Sequence, residues 1–227
     1  MDPHERSRPV VVAIAGGSAT GKSTLARALA AAVPELDPVV ICQDRYFRDF
    51  MEYTPEERER VRTANHPSAV LWSAFHDALE SLLAGGVAHE PVPGTRGFRR
   101  GEASQVLGPT RLLIIEGLFA LWDERSRQAA DVRLYTEVDD DERVLRRLNR
   151  DILERGGTVD GVLSWYRRDV KPNFPVYTAS TRYFADLIVP THHPVDVAVQ
   201  TVAAAVRASA AQLHRSRSAD RPGNQSS

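Results

Sequence analysis

Gly16-Gly17-Ser18-Ala19-Thr20-Gly21-Lys22-Ser23 carries the spacing G-x-x-x-x-G-K-[ST], a pattern built for binding phosphate. Glycines at its ends let successive backbone N–H groups turn inward and form a concave anion nest. A helix beginning at the loop points its unpaired N–H groups and positive dipole end at the same place. Lys22 is then set to reach β- and γ-phosphates, and the Ser23 hydroxyl to ligate Mg²⁺. The expected nucleotide contacts run through Gly17, Ser18, Ala19, Thr20, Gly21, Lys22, Ser23 and Thr24. Such a pattern arises by chance about once per hundred chains of this length. The apolar strand before it and the Ala/Leu-rich helix after it reduce that rate further, so a nucleoside triphosphate is the expected ligand.

Two carboxylates stand where a nucleotide site would use them. Asp44 follows the short apolar run Val39-Val40-Ile41-Cys42, and the carboxyl edge of parallel strands is where open α/β sheets bind ligands. It is a candidate base, with a helix or turn cap as an equally weighted alternative. Glu116 ends Leu112-Leu113-Ile114-Ile115, a run of large aliphatics that marks a strand buried on both faces. That is the position of an acid holding Mg²⁺, directly or through water, a cap being the plainer reading. Further on, Arg143, Arg146, Arg147, Arg150 and Arg155 crowd one helical stretch before Gly156-Gly157. They read either as a lid closing over phosphates or as a solvated basic face. The acidic run Asp139–Glu142 suits the first turn of that helix, where the dipole favours it.

The elements that must hold these groups alternate between strand and helix. Strands are expected over 10–15, 39–42, 112–116, 132–138 and 186–190. Helices are expected from 22 to about 33, over 55–64, over 68–83 with Ser68 as N-cap, from 139, over 158–170 and over 194–213. Between 87 and 107 the pattern turns to Pro, Gly and Arg and reads as a β-hairpin beside the site, where Arg96, Arg99, Arg100 and Arg111 could face an anion or simply water. The chain of 227 residues, 42% hydrophobic, fits one large α/β domain, expected over 9–213, with disordered ends at 1–8 and 214–227. The formal charge of −1 gives no electrostatic case for a nucleic-acid or membrane partner. Lysine stands only at 22 and 171 among 29 basic residues, which makes Lys22 more telling. One cysteine, Cys42, and a polar start with no secretory pattern suggest the cytoplasm.

The order of motifs resembles the uridine/cytidine kinase family, within the P-loop kinases that include phosphoribulokinase. The resemblance runs from about Val10 to Pro190. It is carried by the loop, Gln43-Asp44-x-Tyr46-Phe47, His66-Pro67, Glu116-Gly117-Leu118-Phe119-Ala120, Arg146-Arg147-Leu148-Asn149-Arg150-Asp151-Ile152-Leu153-Glu154-Arg155-Gly156, Val170-Lys171-Pro172 and Tyr183–Pro190. It implies a P-loop NTPase fold, with a mostly parallel sheet flanked by helices, a small β-hairpin over 87–107 and a helical lid over 143–170. It also implies ATP and Mg²⁺, with Asp44 as general base, Ser23 and Glu116 toward the metal, and Lys22, Arg150 and Arg155 acting on the transferring phosphoryl group.

On the acceptor side, candidates are Asp44, Tyr46, Asn65, His66, Phe98, Arg99, Arg147 and Trp165. Here the pattern departs from the family. Asn65 replaces an Asp, Phe98 falls in a segment where a pocket His is expected, and Gly157 and Trp165 occupy the base-reading Arg and Gln positions. Phe98 and Trp165 could stack on a ring or fill core, and Arg99 or Arg100 could meet a carboxylate or phosphate. The reading is an ATP-dependent kinase of a hydroxyl on a nucleoside or ribose-like small molecule, with altered specificity. A homo-oligomer is left open. Competing readings are a sugar or sugar-phosphate kinase and a non-catalytic nucleotide-binding module. The latter has no reason to keep Asp44 and the lid arginines together, and neither lysine follows an asparagine, so the guanine-reading motif of GTPase switches is missing.

Overall fold

In the computed structural model, which describes residues 8–219, the chain begins with β1 (Val10–Gly16), the loop and α1 (Lys22–Ala32). It continues through β2 (Val39–Cys42), α2 (Pro55–Val61), α3 (Trp72–Leu83), β3 (Ala88–Glu90), α4 (Arg96–Arg99) and β4 (Gln105–Leu107). Then come β5 (Leu112–Glu116), α5 (Glu124–Ala129), β6 (Val132–Glu137), α6 (Asp140–Asn149), α7 (Val159–Trp165), α8 (Lys171–Tyr177), β7 (Leu187–Pro190) and α9 (Asp196–Ala219).

Five strands form one sheet in the order β2-β5-β1-β6-β7, every pair parallel. The alternation of side chains along β1 divides the core in two. Val11, Ala13 and Ala15 face one layer with Ile41, Leu113, Ile115 and the α3 residues Phe75, Leu79 and Leu82. Val10, Val12 and Ile14 face the other, with Leu25 and Leu29 of α1 and Val199, Val202 and Val206 of α9. Both faces are covered, which is why β1 and β5 are fully buried and read as unbroken apolar runs. Register fixes the site: Cys42 pairs with Glu116, and Ile14 pairs with Glu116 from the other side. The loop, Glu116 and the segment after Cys42 therefore meet at one sheet edge.

The excursion is a two-stranded antiparallel hairpin, Ala88 opposite Leu107, whose polar middle folds into α4 under an N-cap bond from the Phe98 amide to Thr95 Oγ1. The lid stretch is helical on either side of a break at 155–158, and π-helical turns at Arg150–Glu154 and Tyr166–Val170 interrupt its α-geometry.

Four expectations shift. The helix placed over 68–83 starts at Trp72; Ser68 sits in a separate 3-10 turn whose amide is taken by the His66 ring. The helix placed over 55–64 ends at Val61, so that Thr63–Asn65 can turn inward onto Asp169. The C-terminal helix runs on to Ala219, past the expected limit at 213, so 214–219 is helical backbone rather than tail. Arg8, placed in the disordered start, grips Asp131 and the Ala129 carbonyl. The remaining expected disorder, 1–7 and 220–227, lies outside the described residues. Ile114 is fully buried at the centre of the sheet, so Ile114→Ala should cost about 2–5 kcal/mol, read as a lowered denaturation midpoint with an unchanged slope. Leu145→Ala on the exposed face of α6 should cost under about 0.5 kcal/mol in the same titration.

Candidate active site

The loop owes its shape to two glycines with positive φ. At Gly16 (φ 146°) an added Cβ would lie 2.2 Å from Thr136 Oγ1, and Gly21 (φ 83°) is the N-cap of α1. Ala19 also adopts left-handed geometry, at φ 69°. Thr20 locks the loop from beneath: its hydroxyl meets the Gly17 carbonyl at 2.8 Å and Thr136 Oγ1 at 2.6 Å, and Thr136 in turn reaches the Ala15 carbonyl. Thr20 is therefore a brace whose side chain faces inward. Thr24 is exposed on the first turn of α1.

Lys22 is buried, its amine donating to the Gly17 carbonyl at 2.8 Å. Burial pushes its pKa below the ordinary lysine value, while the charges of Glu116 and Asp44 push back toward the ammonium form. Ser23 Oγ donates to Glu116 Oε1 at 2.8 Å. That pair is an oxygen-only donor set, one hydroxyl and one carboxylate, of the kind Mg²⁺ takes while keeping several waters. Asp44 sits in a 3-10 turn just beyond β2 and lines a cavity of about 440 Å³ together with Ser18, Asn65, Arg96, Arg147 and Arg150. Asp44 is exposed to solvent through the cavity, within a dense surround of protein atoms. That enclosure raises its pKa above the ordinary aspartate range, Lys22 opposing the shift and Glu116 adding to it.

The lid supplies the facing wall. Arg150 Nη2 donates to Ser18 Oγ at 3.1 Å, bridging lid and loop. Arg143 lies over the Phe174 ring at 3.7 Å, and both crowd Gly17, where an added Cβ would come within 2.8 Å of Arg143 Cδ. Asp151 gathers Arg147 (3.2 Å), Arg150 (3.0 Å) and Arg155 (3.2 Å) on one carboxylate. Arg155 lines the cavity as well. A second chamber of about 510 Å³ opens outward from the first, sharing Ala64, Arg96, Arg100, Arg147 and Arg155 and adding Arg62, Arg99 and Trp165.

Of the acceptor-side candidates, Asp44, Asn65, Arg99, Arg147 and Trp165 line one chamber or both. Asn65 is oriented by Asp169, which takes its Nδ2–H at 2.8 Å. Tyr46, His66 and Phe98 line neither. Tyr46 is fully buried edge-on against Phe75 because the 3-10 turn sends it to the opposite side from Asp44. The His66 ring is tied to Ser68 and to the Tyr177 hydroxyl. Phe98 is half exposed on α4. Arg111, grouped with the hairpin arginines, lies at the far end of β5 near Asp37, 3.6 Å away. Sequence reasoning missed Thr136, Asp151, Asp169 and Phe174 as parts of the site. Only Asp151 carried a legible signal, an i, i+4 spacing from Arg147 and to Arg155.

A phosphate-binding loop, a carboxylate pair at the sheet edge and an arginine lid over one cavity define a P-loop phosphotransferase. Residues 11–198 match the model of the phosphoribulokinase / uridine kinase family, and the chain belongs to that family. It is 33% identical to a uridine kinase of Lactiplantibacillus plantarum, over 91% of this chain and 99% of that one. It is 31% identical to a uridine kinase of Limosilactobacillus reuteri, over 91% and 94% respectively. Among solved structures, a candidate fructose transport system kinase of Silicibacter sp. TM1040 superposes with a TM-score of 0.62 at 23% identity, covering 83% of this chain and 92% of that one, which shows the shared fold.

The three-arginine cluster on Asp151 yields a prediction. Asp151→Asn should leave the fold intact and lower kcat about tenfold or more, because misplaced guanidiniums lose most of their value to a transferring phosphoryl group. Steady-state kinetics beside a thermal melt checks it; an unchanged kcat would remove Asp151 from the lid's machinery.

Proposed function

We propose that the chain transfers the γ-phosphoryl group of ATP to a hydroxyl of a small acceptor, a nucleoside or ribose-like compound, with Mg²⁺ as its metal. The observation that carries this reading is Asp44: a carboxylate of raised pKa in the cavity wall, its charge coupled to that of Lys22. The uridine kinase relatives favour a nucleoside over a free sugar. A non-catalytic binding module would have no use for a base beside the phosphate loop. A cytoplasmic location and a small-molecule partner, rather than nucleic acid or membrane, belong to the same proposal. They are supported by the near-balanced charge and the single free Cys42. Among the described residues, no helix is long and apolar enough to cross a membrane.

In this reading the loop amides and the Lys22 ammonium hold the triphosphate, and the start of α1 adds its dipole. Ser23 and Glu116 would hold Mg²⁺, which supplies charge neutralisation at the β- and γ-oxygens when bound. Asp44 accepts the proton of the acceptor hydroxyl as that oxygen attacks phosphorus, and its raised pKa makes it a better base than a solvated aspartate. Arg150 and Arg155 close over the charge spread across the equatorial oxygens, and Arg147 holds their common anchor, Asp151. The lid also keeps water from competing with the acceptor.

Because Asp44 must be ionised to take a proton and its pKa is raised, kcat/KM should climb with pH on a limb centred above the ordinary aspartate value of about 3.9. A limb centred at or below that ordinary value would contradict the assignment. Asp44→Asn should lower turnover by about 10²-fold or more while ATP still binds. Its melting temperature should match or exceed the parent's, because an ionised carboxylate with a raised pKa weakens the fold above that pKa. Lost ATP binding with normal turnover of the remaining complex would reject the role.

A further inference from the structure

The outer chamber has a charge imbalance that the phosphoryl-transfer machinery does not use. Arg62, Arg96, Arg99, Arg100, Arg147 and Arg155 line it against only two carboxylates, Asp49 and Asp151. Arg147 and Arg155 are answered by Asp151, and Arg100 by Glu102 at 2.5 Å. Arg62 lies 3.9 Å from Glu59. Among the described residues no carboxylate pairs with Arg96 or Arg99. Arg96 is held by neutral groups, its Nε donating to the Arg48 carbonyl at 3.1 Å and its Nη2 to the Thr63 carbonyl at 2.6 Å, with its carbon 5.4 Å over the Phe47 ring. Arg99 has only the Met51 sulfur, at 3.4 Å. Burial and the neighbouring charges of Arg62 and Arg100, opposed at longer range by Asp44 and Asp169, bring the Arg96 pKa down to about 10, so it stays charged at neutral pH.

Where these cations come from matters as much as their number. Arg62 follows α2, while Arg96, Arg99 and Arg100 lie in or just after α4 of the hairpin. None belongs to the loop or the lid, which already supply Lys22, Arg150 and Arg155 to a triphosphate. The two chambers share Ala64, Arg96 and Arg100, so a molecule offering its hydroxyl to Asp44 extends directly into the outer one. Nor does that chamber present an open aromatic face: Trp165 is covered by the guanidiniums of Arg62 at 5.5 Å and Arg168 at 4.4 Å. A neutral ring placed there would bring no paired anion to half-buried Arg96 or to exposed Arg99, whereas an anionic group would meet both.

We propose that the outer chamber is a subsite for an anionic group, a carboxylate or a phosphate, carried by the acceptor itself, with Arg96 and Arg99 as its principal cations. This rests on reading the inner chamber as the acceptor end of a kinase site. A planar guanidinium matches either anion with paired hydrogen bonds, which gives orientation as well as charge. Anchored at that end, the acceptor would hold its hydroxyl against Asp44.

The test uses the full chain with Mg²⁺-ATP and matched acceptors that differ in one anionic group: uridine against 5-carboxyuridine, and ribose against ribose 5-phosphate. ADP release should give a kcat/KM at least about tenfold higher for the anionic member of one pair, and the pair concerned separates carboxylate from phosphate. Arg99→Gln, free of the backbone bonds that make Arg96 a risk to folding, should raise KM for that member about tenfold with kcat held. The neutral member should lose distinctly less, so that the ratio of the two kcat/KM values falls about tenfold. Equal or better turnover of the neutral members, or an Arg99→Gln effect common to both, overturns the subsite and leaves the kinase reading standing. Calorimetric titration with a non-hydrolysable ATP analogue bound covers the opposite case. Binding of an anionic member that Arg99→Gln weakens, without turnover, upholds the subsite and counts against the kinase reading. Neither binding nor turnover of an anionic member overturns the subsite.

Discussion

A single buried ammonium ties the architecture together. Lys22 is held by the Gly17 carbonyl, and two carboxylates, Glu116 and Asp44, oppose the lowering of its pKa by burial. Those carboxylates hang from the ends of β5 and β2, strands that share a register running through Cys42 and Glu116. If β2 slipped by one residue against β5, its side chains would exchange faces and the turn carrying Asp44 would move with it. The two core layers exist, in functional terms, to keep three parallel strands ending level.

The lid obeys a similar constraint with the signs reversed. Several guanidiniums lie close together on the cavity wall, and without a counter-charge they would repel one another. Asp151 meets this need for Arg147, Arg150 and Arg155, within a π-helical turn that lets the helix offer more than one register of side chains to the cavity. Arg150 reaches across to Ser18, so the lid already touches the loop. On the acceptor side, Asp169 does the equivalent for neutral groups, gathering Thr63, the Ala64 amide and Asn65 onto one buried carboxylate.

How much of this was legible in the sequence follows from the range of the interactions. The loop, β1, β2 and β5 could be read directly, because their signals are local: fixed glycine spacing and aliphatic runs that only a sheet covered on both faces produces. Asp44 and Glu116 were legible for the same reason, as polar residues ending apolar strands. Tyr46, His66 and Phe98 were not, because short 3-10 turns and a four-residue helix set their directions, and one residue of phase turns a side chain from cavity to core. Arg96 and Arg111 looked alike in sequence. The hairpin brings the first into the cavity, while the parallel sheet carries the second to the opposite end of β5.

The central claim is transfer of a phosphoryl group to an acceptor hydroxyl in the cavity between Asp44 and the lid. Phosphorus NMR of the protein with Mg²⁺, ATP and a mixture of uridine, 5-carboxyuridine and ribose 5-phosphate tests it most directly. The account predicts a new phosphate-ester resonance growing in step with ADP, with little inorganic phosphate. ADP accompanied by inorganic phosphate alone, or no ADP at all in the presence of every acceptor, would contradict it.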